Sequence, residues 1–235
     1  MATIKKIAVL NAVEIAVQNV ITKIAIAKLA TNTGLITASA YKATAARAQG
    51  KAYELRILLE ILKKMHGYGY LLSCSVPSSG VLTFGGSPCR PNLPQHNWVS
   101  AKKGSDELQI WVSVQFRTLS HQLRTPSTQV KEADRHEIDV GVYRVLKGQS
   151  YPGLSQIVFA ASCKSGGWNK AYVREALGLR RELGYFTKPQ TALAQWYIKE
   201  VCSSPAIPLV LYSDNLLCNS YQSLESLGLF VEHFP

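Results

Sequence analysis

Two short apolar runs constrain this chain more than any other feature. The first is His136-Glu137-Ile138-Asp139-Val140-Gly141-Val142-Tyr143 and the second Ile157-Val158-Phe159-Ala160-Ala161-Ser162-Cys163-Lys164. Both are rich in Val, Ile, Phe and Tyr, and a Gly/Gln/Ser/Pro segment at 148–155 separates them, so each is expected to be a β-strand. Strand side chains alternate between faces. Glu137 and Asp139 therefore share a face, as do Ser162 and Lys164. An acid inside one strand and a lysine at the end of its neighbour can converge on one point. There a carboxylate can hold a hard divalent cation through oxygen, and an ammonium can meet a phosphate as a point charge. That pairing suits cleavage of a phosphodiester.

The flanking patterns predict an α/β protein. Gly50–His66 is the clearest helix. Glu54, Leu55, Leu58, Ile61, Leu62 and Met65 fall on one arc at about 100° per residue, with Arg56, Glu60, Lys63 and Lys64 pointing away. Glu54 stands out, because a carboxylate on a buried arc is costly unless paired or metal-bound. Either the helix dipole holds it one turn from the helix start, or it faces a site. Glu107–Leu119 alternates as a half-buried antiparallel strand does, with Leu108, Ile110, Val112, Val114 and Phe116 on one face and Gln109, Trp111, Ser113, Gln115 and Arg117 on the other. After Ser165-Gly166-Gly167 a helix is expected from about Asn169 to Leu183, its core stripe being Tyr172, Ala176, Leu179 and Leu183. Glu175 lies about 60° to one side of that stripe, while Lys170, Arg174 and Arg181 lie opposite it. Short strands are expected at Tyr68–Val76, Val81–Phe84 and Ile207–Tyr212, further helices at Gln190–Cys202 and Asn219–Leu227, and a loop over Gly85–Gly104.

Glu-Ile-Asp-Val on a strand, then an apolar strand ending in Ser-Cys-Lys, then a helix, resembles the PD-(D/E)XK nuclease superfamily, which includes many restriction endonucleases and repair nucleases. The likeness covers residues 50 to 212, roughly, in element order. It implies a restriction-endonuclease-like mixed sheet of four or five strands flanked by helices, over residues 50–235. Residues 1–49 would be an N-terminal helical extension and a candidate oligomerisation element. It further implies a Mg²⁺-dependent endonuclease, with Mn²⁺ able to substitute, acting on double-stranded DNA. Asp139 matches the family's metal-holding acid and Lys164 its lysine. The family pattern has an acid two residues before the lysine, where this chain has Ser162. Some members with Ser-x-Lys recruit the acid from the following helix, which here offers Glu175 as catalytic residue and second metal ligand. Glu54 stands where an early helix often contributes an outer carboxylate. Glu137, one pleat from Asp139, is a second ligand or an ordinary strand carboxylate. Cutting both strands takes two active sites and so implies a homodimer. The alternative is a subunit that keeps the fold for nucleic-acid binding or assembly and has lost catalysis; Ser162 is its main support.

Charge points the same way. There are 26 Lys and Arg against 15 Asp and Glu, a formal net charge of +11, and an excess of that size favours a polyanionic partner. Candidate phosphate contacts are Arg124, in a basic stretch at 120–135, and Lys170, Arg174 and Arg181. A membrane partner is not expected: a span needs about 20 predominantly apolar residues, and residues 3–31 are broken by Asn11, Glu14, Gln18, Asn19 and Lys23. Leu10, Val13, Val17, Val20, Ile24 and Ala27 alternate steps of three and four, a helical seam for the protein's own core or for a second copy. The five cysteines are odd in number and lack zinc-ligand spacing, so reduced thiols in the cytoplasm are expected, with no cleavable signal. Alternation points Cys163 away from Lys164, which favours a buried thiol over a cysteine nucleophile acting with His136 and Asp139.

Overall fold

The computed structural model describes residues 9–16, 18–19, 38–74, 91, 98–123, 130–144, 146 and 151–235. Helix α1 (Ala38–Gly67) carries the apolar arc seen in the sequence, widened by Tyr53 and Ile57, and Leu58, Ile61, Leu62 and Met65 are fully buried. Burying each such side chain contributes about 1.5–3 kcal/mol, enough to offset the ~1 kcal/mol cost of Gly50 inside a helix. The helix runs unbroken through Gly50, so the boundary expected at 49/50 falls inside one element. Residues 9–16 are also helical, and Val9, Val13 and Ala16 are buried in the cluster that α1 completes. That part of the seam packs on the protein's own core; Val17, Val20, Ile24 and Ala27 lie outside the described residues.

Among the described residues, seven strands form one sheet rather than the four or five expected. They are β1 (Leu71–Cys74), β2 (Val99–Lys103), β3 (Asp106–Arg117), β4 (Arg135–Arg144), β5 (Ile157–Lys164), β8 (Leu209–Ser213) and β9 (Leu229–His233), side by side in that order. Pairing is antiparallel from β1 to β5 and parallel from β5 through β8 to β9, so the sheet is mixed and mostly antiparallel. Helix α2 (Leu119–Leu123) follows β3, and helix α3 (Lys170–Glu182) follows β5. α1 covers one face of the sheet and α3 the other, which is why β5 reads as a continuous apolar run from Ile157 to Ala161.

The crossover from β5 to β8 contains α3 and then a separate two-stranded antiparallel ribbon, β6 (Tyr185–Thr191) with β7 (Glu200–Ser204). The helix expected over Gln190–Cys202 is therefore absent. The segment instead turns back on itself, with Ala192 N–H donating to the Lys199 carbonyl (2.9 Å), and buries Ala192, Ala194 and Trp196 in the α1-side core. The last expected helix is a 3₁₀ segment, Leu216–Leu227, closed by Gly228 at a φ of 71°. β9, which follows it, was not anticipated from the sequence. No helix among the described residues is long and apolar enough to cross a membrane.

β3 breaks the regular alternation expected of it. Leu108, Ile110 and Val112 pack on the α1 side, but Val114 and Phe116 pack on the α3 side with Trp111. The strand is thus buried on both faces along its centre. The switch occurs at Ser113, whose φ of 56° is left-handed, a conformation that costs a non-glycine residue on the order of 1–2 kcal/mol. β4 makes the same switch: Val140 and Val142 face α1, Ile138 faces α3. The pairs Val112↔Val140 and Val114↔Ile138 set Ser113 opposite Asp139. The sheet therefore changes faces at the candidate acid.

Candidate active site

Asp139 sits on β4 at that change of face and is only partly exposed. Its Oδ2 accepts the Cys163 backbone N–H at 2.6 Å and lies 3.4 Å from the donating Ser162 hydroxyl, both from the adjacent β5. Burial pushes its carboxyl up to about 6, and the negative charge of Glu54 adds to that push; the Cys163 N–H and Lys164 pull the other way without prevailing. Burial thus favours the neutral carboxyl more than Lys164 favours the charged one.

Lys164 ends β5, and its Nζ donates to Glu175 Oε1 on α3 at 2.8 Å. Burial works to lower its pKa, but Glu175 and Asp139 outweigh it, and the ammonium stays above its ordinary range. Glu175 reaches Lys164 because Asn169 caps α3, its side chain accepting the Ala171 N–H at 2.9 Å, and Val173 and Ala176 bury the sheet-facing side of the helix. The observed core stripe is Val173, Ala176, Arg180 and Leu183, with Tyr172 and Leu179 half-buried beside it.

Glu54 comes from α1 on the other side. Because α1 starts at Ala38, Glu54 lies several turns into the helix, and a first-turn dipole does not hold it. Lys51, one turn earlier, donates to Glu54 Oε2 at 2.6 Å and to Ser113 Oγ at 2.8 Å, and Ser113 donates in turn to Glu54 Oε2 at 3.1 Å. Lys51 and Ser113 were missed in the sequence. The Lys-x-x-Glu spacing, one of the helix-neighbour spacings that pair opposite charges, could have revealed Lys51; Ser113 carries no local mark.

Asp139, Lys164, Glu175 and Glu54 line one open cavity of about 710 Å³, together with His136, Glu137, Ser162, Cys163 and Arg181. Its size falls in the range of small-molecule and cofactor sites, about 300–1,000 Å³. Of the basic residues nominated from the sequence, Arg181 lines this cavity, Lys170 and Arg174 are exposed on α3 away from it, and Arg124 lies outside the described residues. The Cys163 thiol packs against the α1-side core, and burial followed by the charge of Asp139 holds its pKa well above the ordinary thiol value, so it is no thiolate nucleophile. Among the described residues, no group of three His, Cys, Asp or Glu is gathered to hold a metal ion by itself.

The fold and this cavity define an α/β protein with a carboxylate–lysine site on the central strands β4 and β5 of a mixed sheet. No family model, curated protein or solved structure matches the chain.

Proposed function

We propose that this protein is a metal-dependent endonuclease that hydrolyses phosphodiester bonds in DNA, with Asp139, Lys164, Glu175 and Glu54 as its working groups. The observation that carries this reading is the meeting of Asp139, lifted to about 6, with a protonated Lys164 on one open cavity. The donor chemistry fits a hard cation: Asp139 and Glu54 are oxygen ligands whose mutual repulsion a divalent ion would relieve. Mg²⁺ is usually held by one or two carboxylates plus substrate phosphates, so a third protein ligand is not required. Bound there, Mg²⁺ or Mn²⁺ would supply Lewis-acid polarisation of a phosphoryl oxygen. Lys164, kept charged by Glu175, would meet a phosphate oxygen and offset the charge that develops in the transition state. Lys51 and Ser113 would hold Glu54 in place, and Arg181 would anchor the backbone beside the cut. Cutting both strands of a duplex would take two copies of the chain.

The test is nicking of supercoiled plasmid in Mg²⁺ or Mn²⁺ and in EDTA. Cleavage that needs the divalent ion and disappears in Asp139→Ala supports the reading. A readout independent of activity accompanies it: Mn²⁺ raises the melting temperature of the parent protein and not of Asp139→Ala, because a ligand that binds only the folded state stabilises it. Ser162, standing where the related pattern has an acid, favours a second reading: a nuclease-like fold that binds nucleic acid without cutting it. DNA binding with no cleavage in either ion would put that reading first.

A further inference from the structure

A smaller pocket of about 220 Å³ adjoins the candidate active site, and Arg181 and Glu182 line both. The rest of its lining is Leu119, Ser120 and Leu123 from α2, Gly184, and Tyr185 and Phe186 from the start of β6. Tyr185 is 49% exposed and Phe186 51%, and every residue of β6 is exposed. Two neighbouring aromatics left facing water lose the burial that normally stabilises such side chains. They are nevertheless held firmly. Tyr185 and Phe186 pair with Ser204 and Ser203 of β7. Gly184 lets the two strands approach so closely that a Cβ there would lie 3.0 Å from the Ser204 carbonyl oxygen. The opposite wall is pinned by Ser120, whose N–H and hydroxyl donate to the two oxygens of Glu182 at 3.0 and 2.8 Å, tying α2 to the end of α3.

We propose that this pocket takes one unpaired nucleobase of the DNA strand that enters the active site, stacked on Tyr185 and Phe186. The inference rests on the nuclease reading and narrows its substrate: DNA that is single-stranded or locally opened next to the cut, rather than intact duplex. Three observations converge on that occupant. The pocket lies below the size range of drug-sized ligands and suits a single flat ring system. Its walls are aromatic and aliphatic with a polar edge at Ser120 and Glu182, as the faces and edge of a base require. Exposed Arg181 stands on the wall shared with the catalytic cavity, where a phosphate joining the stacked base to the scissile phosphate would pass. Exposed Lys188 extends the positive charge along β6. Aromatic stacking accepts any base, since each has a π-face, so the pocket selects for strand state and not for sequence.

The experiment uses the full chain in EDTA, so that neither cleavage nor a metal ion enters the result. A single-stranded oligonucleotide containing 2-aminopurine is titrated and its fluorescence followed, beside a fully paired duplex carrying the same base. Binding to the single strand should quench the fluorescence, and the duplex should bind more weakly. Tyr185→Ala and Phe186→Ala should each lower single-strand affinity by about tenfold or more, the melting temperature of Tyr185→Ala staying unchanged, and Phe186→Trp should restore binding together with the packing over Arg180. Equal affinity for duplex and single strand, or alanine variants that bind like the parent, overturns the proposal. Salt-sensitive DNA binding indifferent to both aromatics overturns the base pocket alone. Failure to bind either DNA at low salt overturns the nuclease reading with it.

Discussion

Helix α1 contributes to two clusters of acids and lysines, and the two are built differently. Near its middle, Lys51 and Ser113 hold Glu54, which lines the large cavity with Asp139, Lys164 and Glu175. Toward its end, Lys64 lies 3.7 Å from Glu232 on β9 and 4.4 Å from the centre of the Tyr197 ring. There the Tyr212 hydroxyl donates to Tyr197 at 2.9 Å, and Tyr197 donates to Glu232. Burial, with nearby negative charge, pushes both phenols far up, so they stay neutral. That second cluster has one acid, one lysine and two neutral donors, and its charges balance. The first sets five acids, Glu54, Glu137, Asp139, Glu175 and Glu182, against three cations, Lys51, Lys164 and Arg181. Lys51 is bonded to Glu54 and Lys164 to Glu175, and Asp139 is left to two neutral donors from β5. Pairing alone thus marks no site. A surplus of negative charge kept on an open cavity does, because folding gains nothing from it and a ligand can.

The sharpest way to break that comparison is to remove one acid from each cluster. On the nuclease reading, Asp139→Ala should reduce Mg²⁺-dependent cleavage by at least ~10²–10³-fold while leaving DNA binding largely intact, since phosphate contacts would come from lysines and arginines elsewhere. Glu232→Gln should leave cleavage within a factor of two or so of the parent, the Tyr197 hydroxyl still finding an acceptor. Glu175→Ala should fall nearer to Asp139→Ala, because Lys164 loses its hydrogen-bonded partner. Initial rates on a plasmid substrate measure all three. Equal losses from Asp139→Ala and Glu232→Gln would mean that the cavity has no special role.

The parts of the site that were legible in the sequence are those set by short-range periodicity. Asp139 and Lys164 stand out on two neighbouring apolar strands, and Glu175 was implied by the family resemblance, on the helix that follows Lys164. Glu54 was visible as a misfit on an apolar arc, although its cause was not. What stayed hidden depends on contacts distant in the chain. Val112-Ser113-Val114 reads as ordinary alternation, and nothing local announces that Ser113 turns left-handed or that β3 and β4 change faces there. The residues after Gln190 have a helical composition, but burying Ala192, Ala194 and Trp196 against α1's core overrides propensity. Arg180 carries no mark of burial in the sequence. It is instead fully buried beside Gly228 and Phe186, with no hydrogen-bond partner on any guanidinium nitrogen, and desolvation lowers its pKa to about 10. β9 pairs with β8 in parallel, a partnership that a five-residue strand does not reveal.

The contrast in charge balance also predicts stability. Asp139 has a folded pKa of about 6, above the ordinary 3.8, so the folded state binds its proton more tightly than the unfolded state does. Stability should therefore fall as pH rises from about 4 through 6, and the penalty should be complete above about 7. Asp139→Asn removes the ionisation and should raise stability by about 1–3 kcal/mol at pH 8, with no gain at pH 4. Glu232→Ala acts on a balanced cluster and should lower stability by about 1 kcal/mol through the lost Tyr197 hydrogen bond. Urea unfolding at pH 4 and pH 8 measures both. Loss of stability in Asp139→Asn at pH 8 would show that its charge is compensated after all.

The smallest expected effect concerns the surface around the cavity. Binding to DNA releases counterions, so affinity should fall steeply with salt, and each phosphate contact adds close to one unit to the log–log slope. Arg181 faces the cavity from α3, whereas Lys170 and Arg174 stand exposed on the same helix away from it. Arg181→Gln should therefore reduce the slope by about one and weaken binding to all sequences alike. Lys170→Gln and Arg174→Gln should do so only where the bound strand extends along α3. Lys64 is committed to Glu232 and Tyr197, and Lys64→Gln should leave the slope unchanged. Fluorescence anisotropy between 50 and 200 mM salt, about a Debye length of 14 to 7 Å, separates these cases. A slope near zero for the parent protein would refute electrostatic binding. A change in slope for Lys64→Gln as large as that for Arg181→Gln would move the DNA path from the cavity with surplus acid to the balanced cluster at the other end of α1.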